Sequence, residues 1–180
     1  MFSLKSKLLM LVILVGVAFA SCKSNTATGF TQMVTYVKRH PDWTREEFWA
    51  YWQTQHAPKV VPLATYFNIT RYQQVQVGGQ ILPIKSGSET PVSNELVEFD
   101  GIAMFLYDSP DVLAAMLSHP YYLEVVEPDE HNFIDKEAYG GGMVATFVGT
   151  HIEAVDRAKD VWVGNSKTRT EYRKLFASYL

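Results

Sequence analysis

Cysteine is nearly absent: Cys22 is the single one in 180 residues. No disulfide within the chain can staple the fold, so the domain has to be held by its core. A dominant sign of charge is lacking as well. Lys and Arg number 16 against 19 Asp and Glu, a net charge of −3, which excludes the broad basic footprint of a nucleic-acid binder. No apolar run reaches the ~20 residues of a membrane span; the longest, Leu8 to Ala20, stops short. What is present reads as globular, with 47% hydrophobic and 19% charged residues. The length suits one ordinary domain and not two. Ten Tyr, ten Phe and four Trp serve a bulky core or a pocket for a flat ligand, and composition does not separate the two.

Residues 1–20 read as a secretory signal. Lys5 and Lys7 precede the apolar run, and Ala18-Phe19-Ala20 supplies a small-residue cleavage site. An uncleaved N-terminal anchor is the alternative. Phe19-Ala20-Ser21-Cys22 resembles a bacterial lipoprotein box, with Phe at the usual Leu position, so Cys22 is a candidate for lipid. The expected destination is secretion or the secretory lumen, with membrane contact only through this segment. Residues 21–30 are a small, polar linker; residues 31–151 form the domain and 152–180 a tail. Asn68-Ile69-Thr70 is a glycosylation sequon, but it runs into a predicted strand and is not expected to be used.

Gln32 to Lys38 is rich in β-formers and reads as the first strand, apolar on both faces. Thr44-Arg45-Glu46-Glu47 is a capping box. The helix it opens sets Phe48, Trp49, Tyr51 and Trp52 on an apolar stripe, and His56 continues that stripe one turn on. Pro58 disfavours helical geometry at Ala57, which predicts His56 in the last turn or at a kink. By spacing alone His56 is equally a hydrogen-bonded core histidine. Asn68 to Val77 reads as a second strand, with Arg71, Gln73 and Val75 on one face. Gly78 to Glu98 is a long loop, a length typical of lids and binding loops and also of unstructured segments. Phe99 to Tyr107 is the third strand. Ser109-Pro110-Asp111 opens the next helix, His119-Pro120 interrupts it, and a short turn follows to Pro128. Pro128 to Asp135 reads as an acidic loop, Gly140 to Gly142 as a flexible joint, and Met143 to Thr150 as the last strand. Tyr172, Leu175, Phe176 and Tyr179 predict a final amphipathic helix that packs on the body or on a partner.

The order strand, helix, strand, strand, helix, strand is the split βαβ, ferredoxin-like arrangement of an α+β fold. It predicts a four-stranded antiparallel sheet with both helices on one face. The other face stays apolar, so a second copy is expected to cover it, giving a dimeric α/β barrel with a pocket between the sheets.

Three groups of residues carry a family resemblance. The first is Tyr36-Val37-Lys38-Arg39-His40-Pro41, with Thr44, Glu47, Phe48, Tyr51 and Trp52 and then His56-Ala57-Pro58. The second is Asp100-Gly101 with Asp108-Ser109-Pro110. The third runs from Pro120-Tyr121-Tyr122 through Pro128-Asp129-Glu130 to Phe133 and Asp135. Over residues 31–151 the chain resembles an EthD-type domain, and in the third group it is similar to the fungal EthD-like lyases of aromatic polyketide pathways. The resemblance implies a homodimer, no metal or organic cofactor, and a small aromatic polyketide substrate that is dehydrated or decarboxylated. On that basis His56 and His131 are the expected proton-transfer groups, with Asp129 orienting one of them. Tyr36 is expected to hydrogen-bond substrate oxygens, and Trp49, Trp52 and Phe133 to line the pocket. Arg71 is the one basic residue placed well inside a strand. A decarboxylase gains from a cation on the carboxylate, so this scarcity favours dehydration. A metal set of His56, Asp129, His131 and Asp135 has suitable ligand types but no compact spacing. A non-catalytic ligand-binding barrel is the other alternative. Asn132, Phe133 and Asp135 also fit a purely structural role in the loop.

Overall fold

Residues 29–180 are described by the computed structural model. The signal segment 1–20, Cys22 and most of the linker lie outside the described residues. Four strands form the main sheet: β1 (Thr31–Val37), β2 (Arg71–Val75), β5 (Gly101–Tyr107) and β6 (Met143–Thr150). β3 (Gly79–Ile81) and β4 (Val97–Phe99) pair with each other between β2 and β5. The sheet order is β2-β5-β1-β6, and every neighbouring pair is antiparallel. With helices connecting β1 to β2 and β5 to β6, this is the ferredoxin-like topology that the element order predicts.

Alternation along the strands decides which residues meet the helices. Met33 and Val37 of β1, Ala103, Phe105 and Tyr107 of β5, and Tyr72 of β2 face the helical layer and join its two apolar clusters. Val34 and Tyr36 point the other way. Arg71 is opposite Leu106 in the β2–β5 register, out of phase with Tyr72 opposite Phe105, so it shares that other face.

The first connection opens with the capping box. Thr44 Oγ1 accepts from Glu47 N at 3.2 Å, and Glu47 Oε2 accepts from Thr44 N at 2.8 Å. The chain then stays helical from α1 (Arg45–Tyr51) through a π-helical turn (Trp52–His56) into α2 (Ala57–Tyr66). Pro58 does not stop it. Its ring lacks an N–H and collides with the carbonyl four residues back, that of Thr54. A widened turn relieves the collision, and Ala57 N–H donates to Trp52 O, five residues back. The second connection repeats the widened turn but not the continuity: α3 (Pro110–Leu117) ends at Ser118–His119, as His119-Pro120 predicts, and helix resumes through a π-turn (Tyr122–Val126) into α4 (Glu127–Phe133), with Pro128 in the matching place. The stretch 128–133, expected as loop, is therefore helix.

Gly101 marks a close approach. A Cβ there would lie 2.4 Å from the Trp52 ring, so only glycine lets that indole rest on the sheet. Beside it, buried Asp100 accepts from Arg45 Nε and Nη2, each at 2.9 Å, and from Arg39 N at 3.3 Å.

The expected long loop 78–98 is anchored. Its ends form the β3–β4 pair, and Ile84 bridges β6 by giving its N–H to Val144 O and accepting from Thr146 N, both at 3.2 Å. Gly140 to Gly142 form one tight turn with left-handed backbone. The tail holds a small hairpin, β7 (Val155–Asp156) with β8 (Lys159–Asp160), and α5 (Ser166–Ala177). The amphipathic helix is present, but none of its residues is buried. It reaches back to the hairpin region through Arg169 and Arg173 on Asp160, so packing on the body is not what holds it. Among the described residues, no helix is long and apolar enough to cross a membrane.

Candidate active site

The π-turn of the first connection delivers His56 into the interior at 5% exposure. Its ring packs on Phe133 of α4, centroids 4.8 Å apart. Its Nδ1 lies 2.9 Å from Oδ2 of Asp129, also on α4 and also buried. The other oxygen, Oδ1, accepts from Lys59 Nζ at 2.6 Å, Tyr51 Oη at 2.7 Å and Asn132 Nδ2 at 3.3 Å. Four donors on one carboxylate fix its position and keep it ionised.

Charges follow from that geometry. Burial works to raise the Asp129 pKa, but the hydrogen bonds from Lys59, Tyr51 and His56 outweigh it and hold the group below its ordinary value. His56 moves down as well, because burial outweighs both the Asp129 bond and the nearby Glu130 charge. The Asp129 bond raises the Lys59 pKa, and burial with the same carboxylate raises that of Tyr51. A carboxylate held ionised is purely an acceptor, so the proton in the His56–Asp129 bond belongs to Nδ1. Nε2 then carries the free lone pair and makes no hydrogen bond among the described residues. This is a neutral imidazole oriented by a carboxylate, suited to general-base work near neutral pH.

A second polar group adjoins the first. Glu130, buried next to Asp129 in sequence, accepts from Tyr122 Oη at 3.0 Å and from Lys136 Nζ at 2.6 Å. Tyr72 on β2 accepts from Gln74 Nε2 at 2.7 Å. Burial pushes the Tyr72 pKa up to about 12 and that of Tyr122 up strongly too.

The structure brings together only part of the predicted set. His56, Asp129 and Phe133 are in contact, with Trp52 one turn away, buried against Phe48. His131 is elsewhere: exposed, with Nε2 3.1 Å from Glu127 Oε1 one helical turn back. The expectation that it meets His56 came from reading 128–135 as loop. On a helix, residues two apart point about 200° away from each other, so His131 and Asp129 face opposite ways. Trp49 gives its indole N–H to Asp100 O at 2.6 Å instead of lining the His56 site. Tyr36 lies on the far face of the sheet between Phe99 and Phe147. Arg71, on that face too, pairs with Glu153 at 3.1 Å. The residues weighed as a metal set do not converge, and no group of three or more His, Cys, Asp or Glu among the described residues could hold an ion.

Sequence reading missed Tyr51, Lys59, Glu130, Tyr72 and Tyr122. Tyr51 and His56 are five apart, a spacing that turns to one side only when the helix widens to a π-turn. Lys59 carried a usable signal, three residues after His56 on the same helical side.

These features meet their relatives in comparison with known proteins. Residues 40–137 match the EthD domain family, so the chain belongs to the EthD family. The conidial pigment biosynthesis dehydratase EthD of Metarhizium robertsii is 28% identical over 97 residues, 54% of this chain and 68% of that protein. Among solved structures, an EthD family protein of Bacillus halodurans is 15% identical, with a TM-score of 0.39 over 68% of this chain and 98% of its own. A dimeric ferredoxin-like protein of unknown function from Bacteroides fragilis is 9% identical, with a TM-score of 0.40 over 71% of this chain and 99% of its own.

Proposed function

We propose that this protein is a cofactor-independent lyase that dehydrates an aromatic polyketide intermediate, with His56 as the proton-transfer group and Asp129 as the residue that orients it. The buried His56–Asp129 pair, 2.9 Å apart with Nε2 left free, is the observation that carries the reading. Kinship with a conidial pigment dehydratase supports it. His56 Nε2 takes the proton α to a carbonyl, Asp129 stabilises the imidazolium that forms, and the same imidazolium returns the proton to the β-hydroxyl as it leaves as water. The new double bond becomes part of an aromatic ring, which drives the elimination.

Dehydration is favoured over decarboxylation by the state of the nearby cations. Lys59 is neutralised by Asp129 and Lys136 by Glu130, and Arg71 lies on the other face of the sheet, so none is left to hold a substrate carboxylate. We also propose that the protein works as a homodimer through the sheet face of Val34 and Phe147, and that residues 1–20 export it. Light scattering on the purified protein and sequencing of its mature N-terminus test these two points. The reaction is tested by incubating the mature protein with hydroaromatic polyketide intermediates and following mass. Loss of one water supports the reading. Loss of carbon dioxide moves it to decarboxylation, and tight binding without any product makes it a ligand-binding barrel.

A further inference from the structure

His56 and Asp129 account for the proton, but not for the negative charge that builds on the substrate oxygen while that proton is away. Enzymes meet such charge with a donor already in place. The tyrosines around the site are mostly committed: Tyr51 donates to Asp129 and Tyr122 to Glu130. Tyr72 is different. Its oxygen accepts from Gln74 Nε2 at 2.7 Å. Gln74 Nε2 further donates to Trp52 O at 3.3 Å, which fixes the amide with its nitrogen toward the phenol. A phenol oxygen has two lone pairs and one proton. One lone pair is filled by the Gln74 amide, and the O–H has no acceptor among the described residues.

Its place is set by the same π-turn. Trp52 and His56 stand at the two ends of that turn, and both are buried. Trp52 O receives both the Ala57 N–H at the His56 end of the turn and the Gln74 amide, and that amide holds the Tyr72 hydroxyl, which sets the hydroxyl beside this turn. Tyr72 is itself only partly buried as a residue, with its ring stacked on Phe105 at 4.8 Å and 15°.

We infer that Tyr72 is a second catalytic residue, whose O–H donates to the carbonyl oxygen of a β-hydroxy ketone while His56 takes the α-proton. This rests on the dehydratase reading. The C–H bond breaks and its electrons move onto the oxygen as an enolate held by Tyr72. The enolate then collapses and expels the β-hydroxyl, which collects the proton from His56 and leaves as water. Tyr72 keeps its own proton throughout, consistent with a phenol held neutral by burial. The substrate class narrows to compounds that present a carbonyl to Tyr72 and an α-hydrogen to His56.

The test is Tyr72→Phe in the full mature protein, which keeps the stack on Phe105 and removes only the hydroxyl. A drop in kcat of about 10²–10³-fold with KM changed little is expected. Binding of 2-naphthol, a flat mimic of the enolate, is measured alongside and should weaken by about tenfold or more. His56→Gln should keep naphthol binding. If wild-type protein dehydrates nothing yet binds naphthol in a Tyr72-dependent way, the dehydratase reading fails and the Tyr72 donor stands. A folded Tyr72→Phe protein that matches wild type in kcat and naphthol affinity overturns the assignment, as does wild-type protein that binds no naphthol. Should Tyr72→Phe not fold, 3-fluorotyrosine at position 72 is nearly isosteric and a stronger donor. Tighter naphthol binding supports the assignment, and unchanged affinity overturns it.

Discussion

The two helical connections of this domain widen in the same way and are used differently. Each carries a five-residue π-turn into an α-helix whose second residue is proline, the first continuously from α1 and the second after a break at Ser118–His119. Aligned on the prolines, Trp52 matches Tyr122, His56 matches Val126 and Lys59 matches Asp129. At the last place of the turn one connection buries an imidazole and the other an isopropyl group at 1% exposure, packed in the apolar cluster of Leu113 and Met116. One turn later the roles exchange: the first connection gives a cation, the second a carboxylate. The shared shape is backbone physics, the answer of a helix to an internal proline. The chemistry lies in the difference, because this buried pair takes one member from each connection.

The largest expected effect comes from erasing that difference at its centre. His56→Gln keeps a polar side chain of similar reach and removes the base. Turnover should fall by about 10³-fold, within the range for general acid–base groups, while the folded fraction stays near wild type by circular dichroism. Turnover within twofold of wild type would remove His56 from the mechanism. Asp129→Asn comes next. It leaves Lys59 without its counter-charge and lets His56 adopt the other tautomer, so kcat should drop about 10²-fold. Stability should fall by about 2 kcal/mol in a urea titration, less than the 3–5 of a fully buried pair, because Lys59 reaches solvent.

Much of the fold was legible because its signals are local. The β-rich runs around Val34, Met104 and Val144, the capping box at Thr44 and the Pro110 helix start all depend on neighbours a few residues away. The π-turns were not legible. Pro58 announces trouble for a regular helix, but whether the chain stops, kinks or widens depends on packing from elsewhere, here the sheet under Trp52 at Gly101. The site suffered from the same gap. Reading 128–135 as loop let Asp129 and His131 share one rim, whereas α4 sends them to opposite sides. Asp129 and His56 were found because each breaks an otherwise apolar or turn-like pattern; Tyr72 and Tyr122 look like ordinary strand and helix aromatics until their hydroxyl partners are known.

Acid should separate the two connections in a third way. Both members of the pair have folded pKa values below their ordinary ones. A group depressed in the folded state binds more protons when unfolded, so stability falls as pH drops. The His56 contribution is complete above about 6.5, its ordinary value, and is lost as pH falls toward its folded value. The Asp129 contribution is complete above about 3.9 and is lost below. Urea midpoints against pH should therefore show two declines. His56→Gln should abolish the upper one, and Asp129→Asn should shrink the lower, which Glu47 and Asp160, also held below their ordinary values, still support. A wild-type curve flat between pH 7 and pH 5 would contradict a His56 held neutral by burial. The acid limb of kcat/KM should likewise lie below about 6.5, since only neutral His56 takes the proton.

The smallest effect is expected at His131, which tests whether the second connection contributes chemistry beyond Asp129 and Glu130. His131 is exposed and holds only Glu127, one turn back on its own helix. Such a pair is worth about 0.2–0.5 kcal/mol. His131→Ala should thus shift the urea midpoint barely outside error and leave kcat within twofold, with Asp129 still held by its four donors. A loss comparable to that of His56→Gln would mean that the imidazole reaches a substrate from the outer side of α4. The asymmetry between the connections would then have to be redrawn, with one proton-transfer histidine on each and Asp129 serving only the first.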